Sequence, residues 1–303
     1  MATLSFINEA NSAKRYGETV RFGLTKFSDL TDDEFKNKYL LDDKTTAGKY
    51  RMDPIDLIQK LINDKEYLKY ELPKNLPLKI DWREKGVISD VRNQGHCGSC
   101  YAQSVIGTIE SLITLNYNLS KPLELSVQQM IDCGGNFNRG CLGGDTCDLL
   151  KWLKTEKIQI FPRKFYPESE ISSTSNNEIR KCKNITLPDY VKTGKVLQYT
   201  CLDFTGYEYE IINILAHKGP LAASVNGLLW KNYLGGIIKY HCNGPSNHAI
   251  EIVGYDLSPP DPYYIVRNSW GIEFGNSGYA KIAFGQNVCN IASEISTVEV
   301  EWS

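Results

Sequence analysis

The hydrophobic pattern of this chain changes character along its length. From Ser99 to Tyr117 there is no proline, and Val105, Ile109, Leu112 and Ile113 recur at helical spacing. That spacing predicts a helix opening after Ser99, which stands at the N-cap position. Two more helices are predicted, over Leu125 to Ile131 and Asp148 to Lys157, separated by a Gly- and Asn-rich loop from Cys133 to Cys147. From about Val191 the pattern turns to short β-branched and aromatic runs between turns: Leu221 to Val225, Ala249 to Tyr255, Tyr263 to Arg267 and Tyr279 to Ala283. One helix, Tyr209 to Lys218, interrupts them. Residues 1–40 are polar with short helical patterns, and Thr31 with Glu34 has the form of a capping box. Residues 41–75, with Asp42, Asp43, Lys44, Lys60, Asp64, Lys65 and Glu66, read as linker with one helix around Pro54 to Leu68. Helices followed by strands, with no internal repeat, predict an α+β protein.

Composition narrows the class. A chain of 303 residues holds two modest domains, or one domain and an appendage. Its 42% hydrophobic and 11% aromatic content are those of a globular protein. A formal charge of −2 creates no basic field, so nucleic acid is not an expected partner. No apolar run reaches the roughly 18 residues of a membrane span. Nine cysteines imply pairs plus at least one free thiol, hence an oxidising compartment. Met1 to Ala13 has no basic region followed by an apolar one, so no signal peptide is visible and a start truncated relative to a natural precursor is expected. A cytosolic protein with reduced thiols is the alternative.

The helix from Ser99 places Cys100 in its first turn. There the helix dipole and unpaired backbone N–H groups favour thiolate, the nucleophilic form. A thiolate nucleophile needs a base, and the chain has four histidines: His96, His217, His241 and His248. A disulfide cysteine, a redox Cys97-x-x-Cys100 and a metal-binding cysteine are the alternatives, although no second close cysteine pair completes a zinc site.

The stretch Gln94-Gly95-His96-Cys97-Gly98-Ser99-Cys100-Tyr101 resembles the nucleophile loop of papain-family cysteine proteases. That family places a His and an Asn roughly 130–150 residues further on. His248 in Asn247-His248-Ala249 falls in that range, and Asn268 in Asn268-Ser269-Trp270-Gly271 slightly beyond it. Leu125 to Cys133, Gly140 to Gly144, Tyr233 to Ile238 and Val288 to Ala292 resemble the same family, as does Leu76 to Arg83, the start of a mature enzyme. Gly23-x-Thr25-x-Phe27-x-Asp29 resembles the propeptide motif, with Thr25 in place of the usual Asn, and Phe6 to Asn11 a remnant of the helix before it.

The resemblance implies a papain-like two-domain fold with a cleft between a helical half, residues 76–190, and an antiparallel barrel-like half, residues 191–303, after a truncated inhibitory propeptide and linker, residues 1–75. It implies a cysteine endopeptidase in proenzyme form; an inactive papain-like protein acting by binding is the alternative. Cys100 is the implied nucleophile, His248 the base, Asn268 the group that orients the imidazole, and Gln94 with the Cys100 N–H the oxyanion hole. Trp270 would shield the His–Asn bond. Gly143 and Gly144 would let a substrate backbone approach. Glu294 would floor the pocket for P2, the second residue before the scissile bond, with Thr146, Ser224 and Ser246 as walls, and would accept Arg or Lys there. The implied disulfides are Cys97–Cys141, Cys133–Cys182 and Cys242–Cys289, leaving Cys147 and Cys201 paired or free. Tyr101 stands where Trp is usual in the family, Gln103 where an aromatic is usual and Phe274 where a second Trp often shields the site, and these departures are expected to loosen the packing behind Cys100 and lower activity. Asn118 and Asn184 open glycosylation sequons that matter on a secretory route. The expected partners are protein or peptide substrates and cystatin-type inhibitors, with a monomer in lysosomal or secreted location and neither cofactor nor metal. Protonation of Asp29, Asp32, Asp33 and Glu34 is the expected trigger for acid activation.

Overall fold

The computed structural model describes residues 2–12, 20–41, 76–134, 138–169, 181–239, 242 and 244–303. The helix expected around Pro54 to Leu68, the charged residues from Asp42 to Glu66, the boundary near Asn75 and His241 lie outside them. The chain opens with helix α1 (Ala2–Ser12), strand β1 (Arg21–Phe22) and helix α2 (Asp32–Tyr39). At the head of α2 the capping box closes. Thr31 Oγ1 accepts the Glu34 N–H at 3.1 Å, and Glu34 Oε2 accepts the Thr31 N–H at 2.8 Å.

The helical part holds α3 (Cys100–Asn116), α4 (Val127–Cys133) and α5 (Thr146–Thr155). Capping side chains decide where the last two begin. Ser126 accepts from Gln129 N–H, and Asp145 accepts from Cys147 and Asp148 N–H. Each helix therefore starts directly after its cap and not at the first residue of its apolar run. Ser99 differs from the sequence expectation. Its carbonyl accepts from Ala102 and Gln103 N–H, but its buried hydroxyl makes no hydrogen bond among the described residues.

The remaining elements are β2 (Lys79–Asp81), β3 (Gly194–Leu202), α6 (Glu208–His217), β4 (Leu221–Val225), β5 (Tyr233–Gly235), β6 (Ile237–Ile238), β7 (His248–Asp256), β8 (Tyr263–Arg267), β9 (Tyr279–Ala283) and β10 (Ile295–Trp302). An eight-stranded sheet runs β3-β10-β4-β7-β8-β9-β6, with β2 also on β7. Its pairs are antiparallel except β6 with β9, which is parallel, so the sheet is antiparallel in the main, as expected. β7 is the hub. Its first half pairs with β4 and its end with β2, while β8 lies along its other edge. All but the last of its nine residues are buried, as a strand covered on both faces requires.

One apolar core fills the sheet side and includes Phe27, Phe35 and Leu40 from the first 41 residues. The other is formed by α3, α4 and α5 and takes in Val196 and Val300 from β3 and β10. Between α3 and the sheet lies a buried ionic cluster. Arg92 pairs with Glu110 and Arg267 with Glu251, each at 2.5 Å, and Ser89 and Ser111 bond the carboxylates. Gly107 on α3 makes room for it, because a Cβ there would lie 2.1 Å from Arg267 Nη2. Disulfides join Cys97–Cys141, Cys133–Cys182, Cys242–Cys289 and Cys147–Cys201, so the last two cysteines are paired, and Cys100 is the free thiol.

Candidate active site

Cys100 opens α3 and has no solvent exposure. Ala249, next to His248 at the start of β7, packs on it and directs a backbone N–H at its thiol. His248 is equally buried, and its Nε2 meets Asn268 Oδ1 at 2.7 Å. His248 Nδ1 has no hydrogen-bond partner among the described residues. The imidazole stacks on Trp270, with centroids 4.6 Å apart, while Trp230 presents its edge. Phe274 packs against both tryptophans, so the aromatic wall continues through the position where the sequence suggested a gap. Tyr101 is likewise fully buried, so the packing behind Cys100 is not loosened at that position. Gln103 is half-buried, and its Oε1 has no hydrogen-bond partner among the described residues. Gln94 Oε1 accepts from Ser269 Oγ at 2.5 Å, and Gln94 Nε2 donates to the Cys97 carbonyl at 3.0 Å.

The N-terminal segment covers this constellation. Leu41 packs on Cys100 and Ala249, and its N–H donates to the Asn247 carbonyl at 2.6 Å. The Tyr39 carbonyl accepts from Gln94 Nε2 at 3.3 Å. Upstream, β1 pairs with β5, and Phe27 and Phe35 set their edges on Trp270. Thr25 Oγ1 donates to the Lys231 carbonyl at 2.6 Å. Of the four acidic residues considered for activation, Asp32 pairs with Lys231 at 2.6 Å, and Glu34 serves the capping box.

Burial governs the two reactive groups. It pushes the Cys100 thiol up to about 12, outweighing the backbone N–H of Ala249. It pushes His248 down to about 4, against the opposing bond from Asn268. Beneath the segment burial therefore works against charge on both groups, while the backbone N–H groups at the head of α3 and the Ala249 N–H pull Cys100 the other way.

Gly143 and Gly144 lie close to the disulfide-bonded loop, and Gly143 has φ +104°. A Cβ on Gly144 would strike Asn138 Oδ1 at 2.2 Å. Glu294 is buried, and its Oε1 accepts from Ser224 Oγ at 2.8 Å and Thr146 Oγ1 at 3.2 Å. Ser246 is buried beside Asn247. Asp145, which the sequence shows only as a helix cap, lies with Cys147 and Glu294 so that one ligand-type atom of each falls within 4.8 Å of the others. The disulfide engages the Cys147 sulfur, which removes the thiolate a transition metal would seek there. Asn118 and Asn184 are both exposed. No helix among the described residues is long and apolar enough to cross a membrane.

Residues 76–299 match the papain family cysteine proteases. Human cathepsin O is 38% identical over 284 residues, covering 93% of this chain and 80% of its own length. Mouse cathepsin O is 37% identical over 96% of this chain and 85% of its own length. Among solved structures, procathepsin L2 from the larval midgut of Tenebrio molitor superposes with a TM-score of 0.77 at 27% identity, covering 98% of this chain and 90% of that one. The ragweed pollen allergen Amb a 11, a cysteine protease in its proform, gives 0.79 at 25% identity, over 98% of this chain and 78% of that one.

Proposed function

The chain belongs to the papain family of cysteine proteases, and we propose that it is the proenzyme of an endopeptidase working through a thiolate–imidazolium pair and an acyl-enzyme. The observation that carries this reading is the bond from His248 Nε2 to Asn268, which leaves Nδ1 unengaged on the residue beside Ala249, itself in contact with Cys100. With Nε2–H donated to Asn268 Oδ1, the neutral ring holds its lone pair on Nδ1, available to the Cys100 proton. When residues 20–41 leave the cleft, water reaches both groups and the ion pair becomes accessible, since burial is the main cause opposing charge on each.

The thiolate then attacks the scissile carbonyl carbon. The oxyanion is stabilised by Gln94 Nε2, freed from Tyr39, and by the Cys100 backbone N–H. Protonated His248 delivers its proton to the leaving amine, and the thioester remains on Cys100. Water adds to the thioester with His248 as base and restores the thiol. Asn268 and Trp270 keep the imidazole oriented. Gly143 and Gly144 receive the substrate backbone, and Glu294, with Thr146, Ser224 and Ser246, receives the P2 side chain. In the proenzyme, Leu41 and Tyr39 occupy the positions of a substrate without presenting it for cleavage. Four disulfides support action in an oxidising compartment, lysosomal or secreted, where Asn118 and Asn184 become glycan acceptors. Cystatin-type inhibitors that enter the vacated cleft fit the same geometry.

Acid-processed protein treated with an epoxide directed at papain-type thiolates tests the reading. We expect one modified cysteine, lost in Cys100→Ser, together with loss of the N-terminal segment by mass. Absence of modification after confirmed processing would reduce the protein to a binding role.

A further inference from the structure

The two ends of the Asn268 amide are not equally engaged. Its Oδ1 meets His248 Nε2 at 2.7 Å and accepts the Ser269 N–H at 2.8 Å. Its Nδ2 is buried and has no hydrogen-bond partner among the described residues. Gln103, one turn after Cys100 on α3, has the complementary need. Its Oε1 is buried and likewise has no partner among the described residues. A donor and an acceptor left bare in a protein interior are both costly. These two residues line one cavity of about 20 Å³, which is walled also by the charged side chains Arg92, Glu251 and Arg267. That volume exceeds the roughly 10–15 Å³ that one water requires, and the lining is polar, as a buried water also requires. The walls are fixed. Ser104 Oγ, next to Gln103, donates to the Ile250 carbonyl at 2.6 Å and so ties α3 to β7. Arg267, next to Asn268, donates to the Ser89 carbonyl at 2.6 Å and pairs with Glu251.

We propose that Gln103 is a positioning residue of the active site: through one buried water, which accepts from Asn268 Nδ2 and donates to Gln103 Oε1, it holds the Asn268 amide with its oxygen towards His248. The proposal rests on the reading above in which Asn268 orients the imidazole. An amide has nearly the same shape at both ends, so a half-turn would present Nδ2–H to His248 instead of Oδ1. An imidazole facing that donor accepts through Nε2 and carries its proton on Nδ1, which closes the position that must take the Cys100 proton. The Ser269 N–H opposes this rotation at one end of the amide, and the water opposes it at the other. Donation from Nδ2 also polarises the amide and makes Oδ1 a better acceptor for the imidazolium. Helix α3 thus supplies the nucleophile and, one turn later, the anchor of the group that orients its base.

The test joins a spectroscopic and a kinetic reading. In the full chain carrying Cys100→Ser, nitrogen NMR of isotopically labelled histidine reports which ring nitrogen of His248 is protonated, and the added change His248→Asn identifies its signals. At neutral pH we expect Nε2 protonated and Nδ1 bare. Gln103→Met, close in volume but without an acceptor, should move part of the signal to the opposite tautomer, and Gln103→Glu, which keeps an acceptor, should not. In processed enzyme Gln103→Met should lower kcat about tenfold with KM unchanged, the size of one buried donor left bare, and Gln103→Glu should recover most of the loss. An unchanged tautomer or an unchanged kcat in Gln103→Met, or equal losses in the Met and Glu variants, would overturn the proposal. Asn268→Ala separates it from its premise. A change in the His248 signals there, with none in Gln103→Met, removes Gln103 alone, whereas no change in either removes the orienting role of Asn268 and this proposal with it.

Discussion

Gln94 is a side chain whose two ends have been given separate tasks. Its Oε1 is fixed by Ser269, which leaves the Nε2 pointed and pre-set, and in the closed protein that donor is taken by the Cys97 and Tyr39 carbonyls. A donor held before the charge develops costs no reorganisation at the moment of reaction. Gln94→Ala in processed enzyme is therefore expected to lower kcat by about 10²–10³-fold with little change in KM. Steady-state kinetics on a fluorogenic peptide decides it, and an effect confined to KM would place Gln94 in substrate binding instead. At this scale the local motifs were readable, because Cys100, His248, Asn268 and Gln94 each sit in a distinctive neighbourhood of sequence. Asp145, Asn247 and Leu41 were not. Asp145 looks like any helix cap, Asn247 contributes a backbone carbonyl to the contact with Leu41, and Leu41 matters only for where it lands.

Among the elements, α3 packs against the sheet, and Gly107 lies where that contact meets the buried Arg267–Glu251 pair. A methyl group there would lie 2.1 Å from Arg267 Nη2 and 3.0 Å from Glu251 Oε2, both buried and paired. Gly107→Ala is expected to destabilise the protein by about 2–4 kcal/mol, through overpacking and a disturbed buried ion pair. Urea unfolding of the variant in a Cys100→Ser background measures this, and an unchanged midpoint would mean that the cluster yields freely. Because Arg267 precedes Asn268, the same variant should also lower turnover in active enzyme. Element type was legible wherever a period ran long enough, as in α3, β7 and β8. Helix starts followed the caps Ser126 and Asp145, and the sequence pattern alone placed each start two residues away. The parallel pairing of β6 with β9 could not be read, since two-residue strands carry no usable period.

The whole molecule couples closure to protonation. While residues 20–41 cover the cleft, His248 is neutral down to about pH 4, whereas a solvated imidazole takes its proton near 6.5. In Cys100→Ser, where no thiol proton passes to the imidazole, the open state thus binds more protons between these values. Closure is fully supported above about pH 6.5 and loses support as the pH falls towards 4. In Cys100→Ser, which cannot process itself, cleavage of the N-terminal segment by an added protease should accelerate through that window. The added change His248→Asn should flatten the acceleration, and an undiminished rise would assign the acid response to carboxylates such as Asp32. Removing aromatic anchorage by Phe35→Ala, a cost of about 3–5 kcal/mol for a buried ring, should speed cleavage at neutral pH as well. The sequence by itself determined the α+β class, the positions of the main helices and strands, and which residues are proposed as nucleophile, base and orienting amide. Those properties depend on neighbours along the chain: periodicity, caps and short motifs. Only the tertiary structure decided that Cys147 pairs with Cys201, that Asp145 stands beside Glu294, and that Cys100 and His248 are buried at the head of α3 and of β7, with Leu41 packed on Cys100. Each depends on burial and on distances between residues far apart in the chain, and neither quantity exists until the chain has folded.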